Sequence, residues 1–254
     1  MSKLSDAVKA LINASHAAPG ITKASPQVQP ALKRFAEDAH KKQIGLPSWV
    51  SVSTAVSATM NCPDAMTSIF HLANEKSDNP HSSTKNAELI REVGLKCISF
   101  NGIPRSINCL GAFHASLPDD GGLALWDSVY TGFERKLLAK LGASHPDLPV
   151  HILNGHYANL LSNPPRDEVL ADPYGRDHVA VVGRVLTSLV AIACLRAQTG
   201  VGPQVVSHIF GLRKAYEQGD AHAAGEEEVQ GGVWLASDEA ACGCWSTSIG
   251  SWRR

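Results

Sequence analysis

Cys62 and His71 are the first side chains along the 254-residue chain whose types and spacing can do chemistry. Pro63 suits the first position of a helix and Asp64 follows where a negative charge meets the helix dipole, so Cys62 falls at a helix N-terminus. That position favours the thiolate, and His71 follows about two turns along the same helix as a base. A thiolate with an imidazole nearby is a nucleophile or a peroxide-reactive group. His208, on the apolar side of a later helix as His71 is of its own, is a second acid/base candidate. Arg105 comes directly after Pro104 in the first turn of a helix, where a cation opposes the dipole. That cost implies a partner, either a buried carboxylate or an anionic substrate. His71, His208 and Cys62 are thus the candidate catalytic residues, and Arg105 the candidate substrate-binding residue. Each also has a purely structural reading: a packing cysteine, a satisfied core histidine, an ion-paired arginine.

Composition narrows the classes. With 44% hydrophobic residues, the chain can bury a large core. Its 23 basic and 24 acidic residues include no basic cluster with interleaved aromatics, which argues against nucleic acid as a partner. The longest apolar run, Val185 to Leu195, contains Thr187 and Ser188 and stops short of the roughly 18 residues that span a bilayer. Secretion is not expected, because Lys9 interrupts the only apolar run near residue 1. Residues 1–36 carry five basic side chains against the single acid Asp6, which faintly resembles a mitochondrial transit peptide, although a surface helix and a Pro-containing linker fit better. Six cysteines lack framework spacing, so free thiols in a reducing, intracellular compartment are expected, cytoplasmic or mitochondrial. Cys242-x-Cys244 lacks the second pair and the histidines of a zinc site, and no metal or cofactor is expected.

The elements that must carry these residues read as helices throughout. Short helices are expected over residues 3–15 and 30–42, separated by a Pro-containing linker and followed by a break at Gly45–Pro47. Val52, Ala55, Val56, Thr59 and Met60 recur at helical spacing before Asn61, and Met66, Ile69, Phe70 and Ala73 follow on the Cys62–His71 helix. Asn74–Thr84 reads as a polar loop. A helix from Lys85 buries Leu89, Ile90, Val93, Leu95, Cys97, Ile98 and Phe100, and Asn101-Gly102 stops it. Pro104 opens the next, with Ile107, Leu110 and Phe113 inside. Pro118–Gly122 is the boundary between two halves. Helices then follow over 123–141 and 150–161, a polar loop over 164–175, and the most hydrophobic helix over 177–198. Pro203 opens a helix buried through Val205, Val206, Ile209, Phe210 and Leu212, before an acidic linker and a short helix around 235–241. β-branched alternation is absent, and the fold class is all-α. The organisation expected is residues 1–44 as N-terminal helices and linker, 45–118 as a first helical repeat, 119–218 as a second, and 219–254 as linker and tail.

Laying Ser51–His71 over Ser188–His208 pairs helix with helix, break with break and histidine with histidine; anchoring on Pro63 and Pro203 instead shifts the histidines by three residues. The element Phe100-Asn101-Gly102-Ile103-Pro104-Arg105-Ser106-Ile107-Asn108-Cys109-Leu110, after a Cys/His helical pair, resembles the alkyl hydroperoxidase D-like superfamily, which includes carboxymuconolactone decarboxylases. The stretch GRVLTSLVAIACLRAQTGVGPQVVSHIFGLRKA is similar to a fungal branch of it. The resemblance covers roughly residues 45–240 and implies a duplicated all-helical core and a homo-oligomer.

The departures decide the activity expected. The family's peroxidases use Cys-x-x-Cys-x-x-x-His with a Glu about three turns earlier. Counting from Cys62 puts Ala65 and Ile69 at the second cysteine and the histidine, while counting back from His71 puts Asp64 and Thr67 at the cysteines. No acidic residue between Gln43 and Asp64 can supply the Glu. A dithiol peroxidase needs a resolving thiol beside the attacking one. The resemblance therefore implies a cofactor-free enzyme of carboxymuconolactone decarboxylase type, with His71 or His208 moving a proton on a small anionic substrate held by Arg105. The alternatives are a non-catalytic oligomeric scaffold, or a residual thiol peroxidase using Cys62. In similar proteins a closing helix follows the segment seen at Trp234–Glu239, so a truncated or differently spliced C-terminus is also expected.

Overall fold

Leu46–Thr59 (α3) is the helix on which most of the others pack, and every residue from Ser48 to Thr59 is buried. Gly45 and Pro47 start it, the proline where a missing N–H costs nothing. Its side chains are mostly Ser, Ala, Thr and Val, small enough for neighbours to approach from several sides. The computed structural model describes residues 5–14, 20–75, 80–115, 180–223 and 226–240, and nine further helices are named among them. They are α1 (Asp6–Ile12), α2 (Val28–Lys41), α4 (Pro63–Asn74), α5 (Pro80–Lys96), α6 (Ile98–Asn101), α7 (Ile103–Ala115), α8 (Arg184–Gln198), α9 (Gly202–Glu217) and α10 (Gly232–Leu235). No strand occurs among the described residues, 73% of which are helical, and the fold is all-α.

α8 is the second central helix, lying along α3 and against α9, while α4, α5 and α7 close the other sides of α3. Twelve of its fifteen residues are buried, as an apolar run without a polar face requires. One hydrophobic cluster joins residues of α2, α3, α4, α5, α7, α8, α9 and α10, so sequence-distant helices share a single core. The first of these central helices also buries hydroxyls. Ser57 Oγ donates to Cys62 O at 2.6 Å and Thr59 Oγ1 to Ala55 O at 2.8 Å, whereas Ser48, Ser51, Ser53 and Thr54 bury theirs without a hydrogen-bond partner among the described residues.

Several boundaries and faces differ from the sequence expectation. α5 begins at Pro80 rather than Lys85, because Pro80 takes a helix-starting position directly after Asp78-Asn79. It ends at Lys96, and the turn at Cys97 separates it from α6. Leu95 is exposed while Lys96 is buried, paired with buried Glu92 at 3.3 Å. Burial pulls the Lys96 ammonium below its usual pKa against the raising effect of Glu92. Ile107 on α7 and Val206 and Phe210 on α9 are exposed, not buried; Cys109 and Phe113, and Val205, Leu212 and Ala215, face the core instead. α8 starts at Arg184, not Asp177, since Ala180–Gly183 is non-helical and Val181 O accepts the Glu227 N–H at 3.0 Å. Gly232–Leu235 is helical, after Gly231 at φ 71°, and residues 238–240 are helical again, within the stretch where a short helix is expected. The Pro118–Gly122 boundary, the helices expected over 123–141 and 150–161, the loop over 164–175 and Cys242-x-Cys244 lie outside the described residues.

No helix among the described residues is long and apolar enough to cross a membrane.

Candidate functional site

Cys62 occupies the N-cap of α4, as its place before Pro63 and Asp64 predicts. Its surroundings reverse the expected chemistry. Residues 22–24 lie across the α3–α4 break: Thr22 N–H donates to Asn61 O at 2.9 Å and Ala24 N–H to Asp64 Oδ2 at 3.4 Å. The thiol is buried, and burial pushes its pKa up, outweighing the lowering effect of the Ala65 N–H, with Asp64 adding to the rise. Cys62 is therefore a protonated packing thiol at neutral pH rather than an activated thiolate. Cys109 of α7 lies beside it, its Sγ 3.9 Å from Ser57 O, and is pushed up to about 12, chiefly by burial.

Arg105 has its partner in the backbone. Nη1 donates to Thr59 O at 2.6 Å, placing the guanidinium on the last carbonyls of α3, the negative end of that helix's dipole. Asn108 Nδ2 reaches Asn61 Oδ1 at 3.0 Å one turn further on. The first turns of α7 thus seal the C-terminal end of α3. The cost of a cation at the start of α7 is offset at the end of another helix, which only the packing of α7 on α3 could reveal.

Beside Arg105, three amide and hydroxyl side chains meet from three helices. Asn101, the last residue of α6, accepts from Gln198 Nε2 at 3.2 Å and from Thr59 Oγ1 at 3.1 Å, and its Nδ2 donates to Cys194 Sγ at 3.8 Å. Gln198 Nε2 also donates to Phe100 O at 2.5 Å. Gly102, at φ 77°, turns the chain from α6 into α7, a left-handed conformation that glycine adopts without penalty. Sequence reasoning took Asn101 and Gln198 only as polar residues near helix ends. Nothing local distinguishes them, because their partners lie up to 98 positions away.

The two histidines part company. His208 is half-buried, its ring edge-on to Phe100 with centroids 6.0 Å apart, and burial lowers its pKa from 6.5. His71 is exposed in the last turn of α4, against Phe70. It is nine residues beyond Cys62, about 13 Å along the helix axis, so it is neither on the apolar side nor a base for that thiol. Arg105 and His208 therefore flank the α6 corner, Cys62 lies behind Arg105 next to Cys109, and His71 is at the far end of α4.

Two openings are formed by other residues. An open groove of about 300 Å³ is bordered by Arg213, Glu217, Ala236, Ser237 and Asp238. A slot of about 10 Å³ lies between Phe35, Trp49, Val52 and Leu235. Among the described residues no group of three or more His, Cys, Asp or Glu is placed to hold a metal ion. Compared with protein-family models, curated proteins and solved structures, the chain gives no match.

Proposed function

We propose that the chain is a cofactor-free enzyme of carboxymuconolactone decarboxylase type on a duplicated alkyl hydroperoxidase D-like core, and that His208 moves a proton on a small anionic or enolic substrate whose charge Arg105 meets. The observation that carries this reading is the α6 corner, where a cation, two amides and an imidazole whose pKa burial lowers come from the four helices α6, α7, α8 and α9. A neutral imidazole accepts a proton from a carbon acidified by an adjacent carbonyl and returns it, while the remaining guanidinium N–H groups of Arg105 suit an enolate oxygen. The helix–break–helix units α3–α4 and α8–α9, each with a proline in its second helix's first turn, support the duplication. Free thiols at Cys62, Cys97, Cys109 and Cys194 accord with a reducing, intracellular compartment.

The test is proton exchange in deuterium oxide, followed by NMR on a panel of small β-keto carboxylates and lactone carboxylates. Exchange should be lost in His208→Gln and should require higher substrate concentration in Arg105→Met, with Arg105→Lys partly restored. No exchange in the parent protein, or exchange indifferent to His208→Gln, overturns the reading.

A second reading, a homo-oligomeric scaffold, rests on one observation. Ile103 and Ile107 on α7, and Val206 and Phe210 on α9, are exposed at i, i+4 spacing, each pair forming an apolar ridge on one helix face. Mass by light scattering tests it, and a strict monomer removes it.

A further inference from the structure

We propose that Cys97 and Cys194 are a redox-active dithiol, which a hydroperoxide converts to a disulfide joining the α5–α6 turn to α8. Their Sγ atoms stand 3.5 Å apart, although 97 positions separate them in sequence. A disulfide bond is about 2.05 Å long, so closure asks for about 1.5 Å of sulfur movement. Cys97 lies at the turn between α5 and α6, its N–H on Val93 O at 3.0 Å and its carbonyl accepting from Asn101 N–H at 2.9 Å, so closure asks for side-chain rotation at Cys97, while Cys194 is fixed within α8. Both are free thiols, and both are fully buried.

The two sulfurs have unequal surroundings, which sets the order of events. Asn101 Nδ2 donates to Cys194 Sγ at 3.8 Å, which places an amide N–H beside that sulfur. The Cys97 thiol is held well above its usual pKa by its hydrogen bond with Cys194 and by burial. Cys194 therefore attacks and Cys97 resolves. In the first step the Cys194 thiolate attacks one peroxide oxygen; an S–O bond forms, the O–O bond breaks, and the leaving oxygen takes a proton to become water or an alcohol. In the second, the Cys97 sulfur attacks the resulting sulfenic acid; the S–S bond forms, the S–O bond breaks, and the hydroxyl leaves as water with the Cys97 proton. Two thiols are oxidised and one peroxide is reduced. Because both sulfurs are buried, the rate follows local opening of the helix packing, and the water-sized hydrogen peroxide reacts faster than bulky organic peroxides.

The experiment treats the full chain with hydrogen peroxide under native conditions and maps peptides by mass spectrometry without reduction. Loss of two hydrogens with a cross-linked Cys97–Cys194 peptide is expected, unchanged in a Cys62→Ser/Cys109→Ser variant. Dimedone should trap sulfenic acid on Cys194 in Cys97→Ser, with little on Cys97 in Cys194→Ser. A cross-link between any other cysteines overturns the proposal, as does a native protein whose thiols all survive peroxide that oxidises the urea-unfolded chain. Equal trapping in both single variants overturns the order of attack. The map of the parent protein decides the pairing even where a variant fails to fold.

Discussion

Replacing Asn101 with alanine tests whether the α6 corner is held by its amide. The Thr59 hydroxyl has one proton and already donates to Ala55 O at 2.8 Å, closer than its 3.1 Å approach to Asn101, so little of that bond is lost. Gln198 Nε2 has two protons, one for Phe100 O and one for Asn101 Oδ1; the substitution leaves the second without its partner in a half-buried place. One neutral hydrogen bond with an orphaned donor, a weaker bond to Cys194 and a fraction of the Thr59 contact together amount to about 2 kcal/mol. At an m-value of about 2 kcal/mol/M this lowers the urea midpoint by roughly 1 M. Equilibrium urea unfolding followed by circular dichroism measures it. The double-mutant cycle with Gln198→Ala should return about 1 kcal/mol of coupling, since the two side chains share a bond. A change in midpoint of less than about 0.2 M, or a coupling near zero, would refute the inference that this amide ties α6 to α8.

Three further outcomes follow from burial. The pKa of folded His208 lies below 6.5, so the unfolded chain takes up the proton first; the stability that the neutral ring contributes is complete above about pH 6.5 and is lost as pH falls towards the folded pKa. Urea midpoints at pH 7.5, 6.5 and 5.5 should fall in that order, and His208→Gln should flatten the trend; an equal slope in the variant assigns it to other groups. Ser51 is fully buried inside α3 with a hydroxyl that has no partner among the described residues, so Ser51→Ala should stabilise the protein by about 1 kcal/mol, read as a raised melting temperature, and a fall would mean that the hydroxyl is in use. A Cβ at Gly232 would fall on the Tyr216 hydroxyl, so Gly232→Ala should destabilise by about 1–3 kcal/mol in the same melting experiment, a cost that Tyr216→Phe in the same chain should reduce.

Helical type was legible because it depends on local recurrence. Val52, Ala55 and Val56 repeat at the α-helical period, and Pro63, Pro104 and Pro203 mark helix starts through a missing N–H that holds wherever the helix later packs. Facing was legible only in part. Leu95, Ile107, Val206 and Phe210 satisfy the same apolar spacing as their buried neighbours, and periodicity has no means of choosing between two adjacent apolar stripes on one helix. Lys96 shows the converse, a charge inside the core, paired four residues back with Glu92 in a spacing that also describes a surface ion pair.

The candidate chemistry divides in the same way. From the sequence alone came the placement of Cys62 at a helix start and of Arg105 in a first turn, because caps and first turns are settled within a few residues. What those positions mean was settled by segments far away in the chain. The strap at residues 22–24 and the packing of α7 bury Cys62, and desolvation of a thiolate outweighs one helix-end N–H. The end of α3 supplies the partner of Arg105. The Asn101–Gln198 contact and the Cys97–Cys194 pair exist only because α6 and α8 meet. Hydrogen bonds and sulfur contacts act over a few ångströms in space, whereas sequence patterns report neighbours along the chain, so tertiary structure alone decided which side chains share a site.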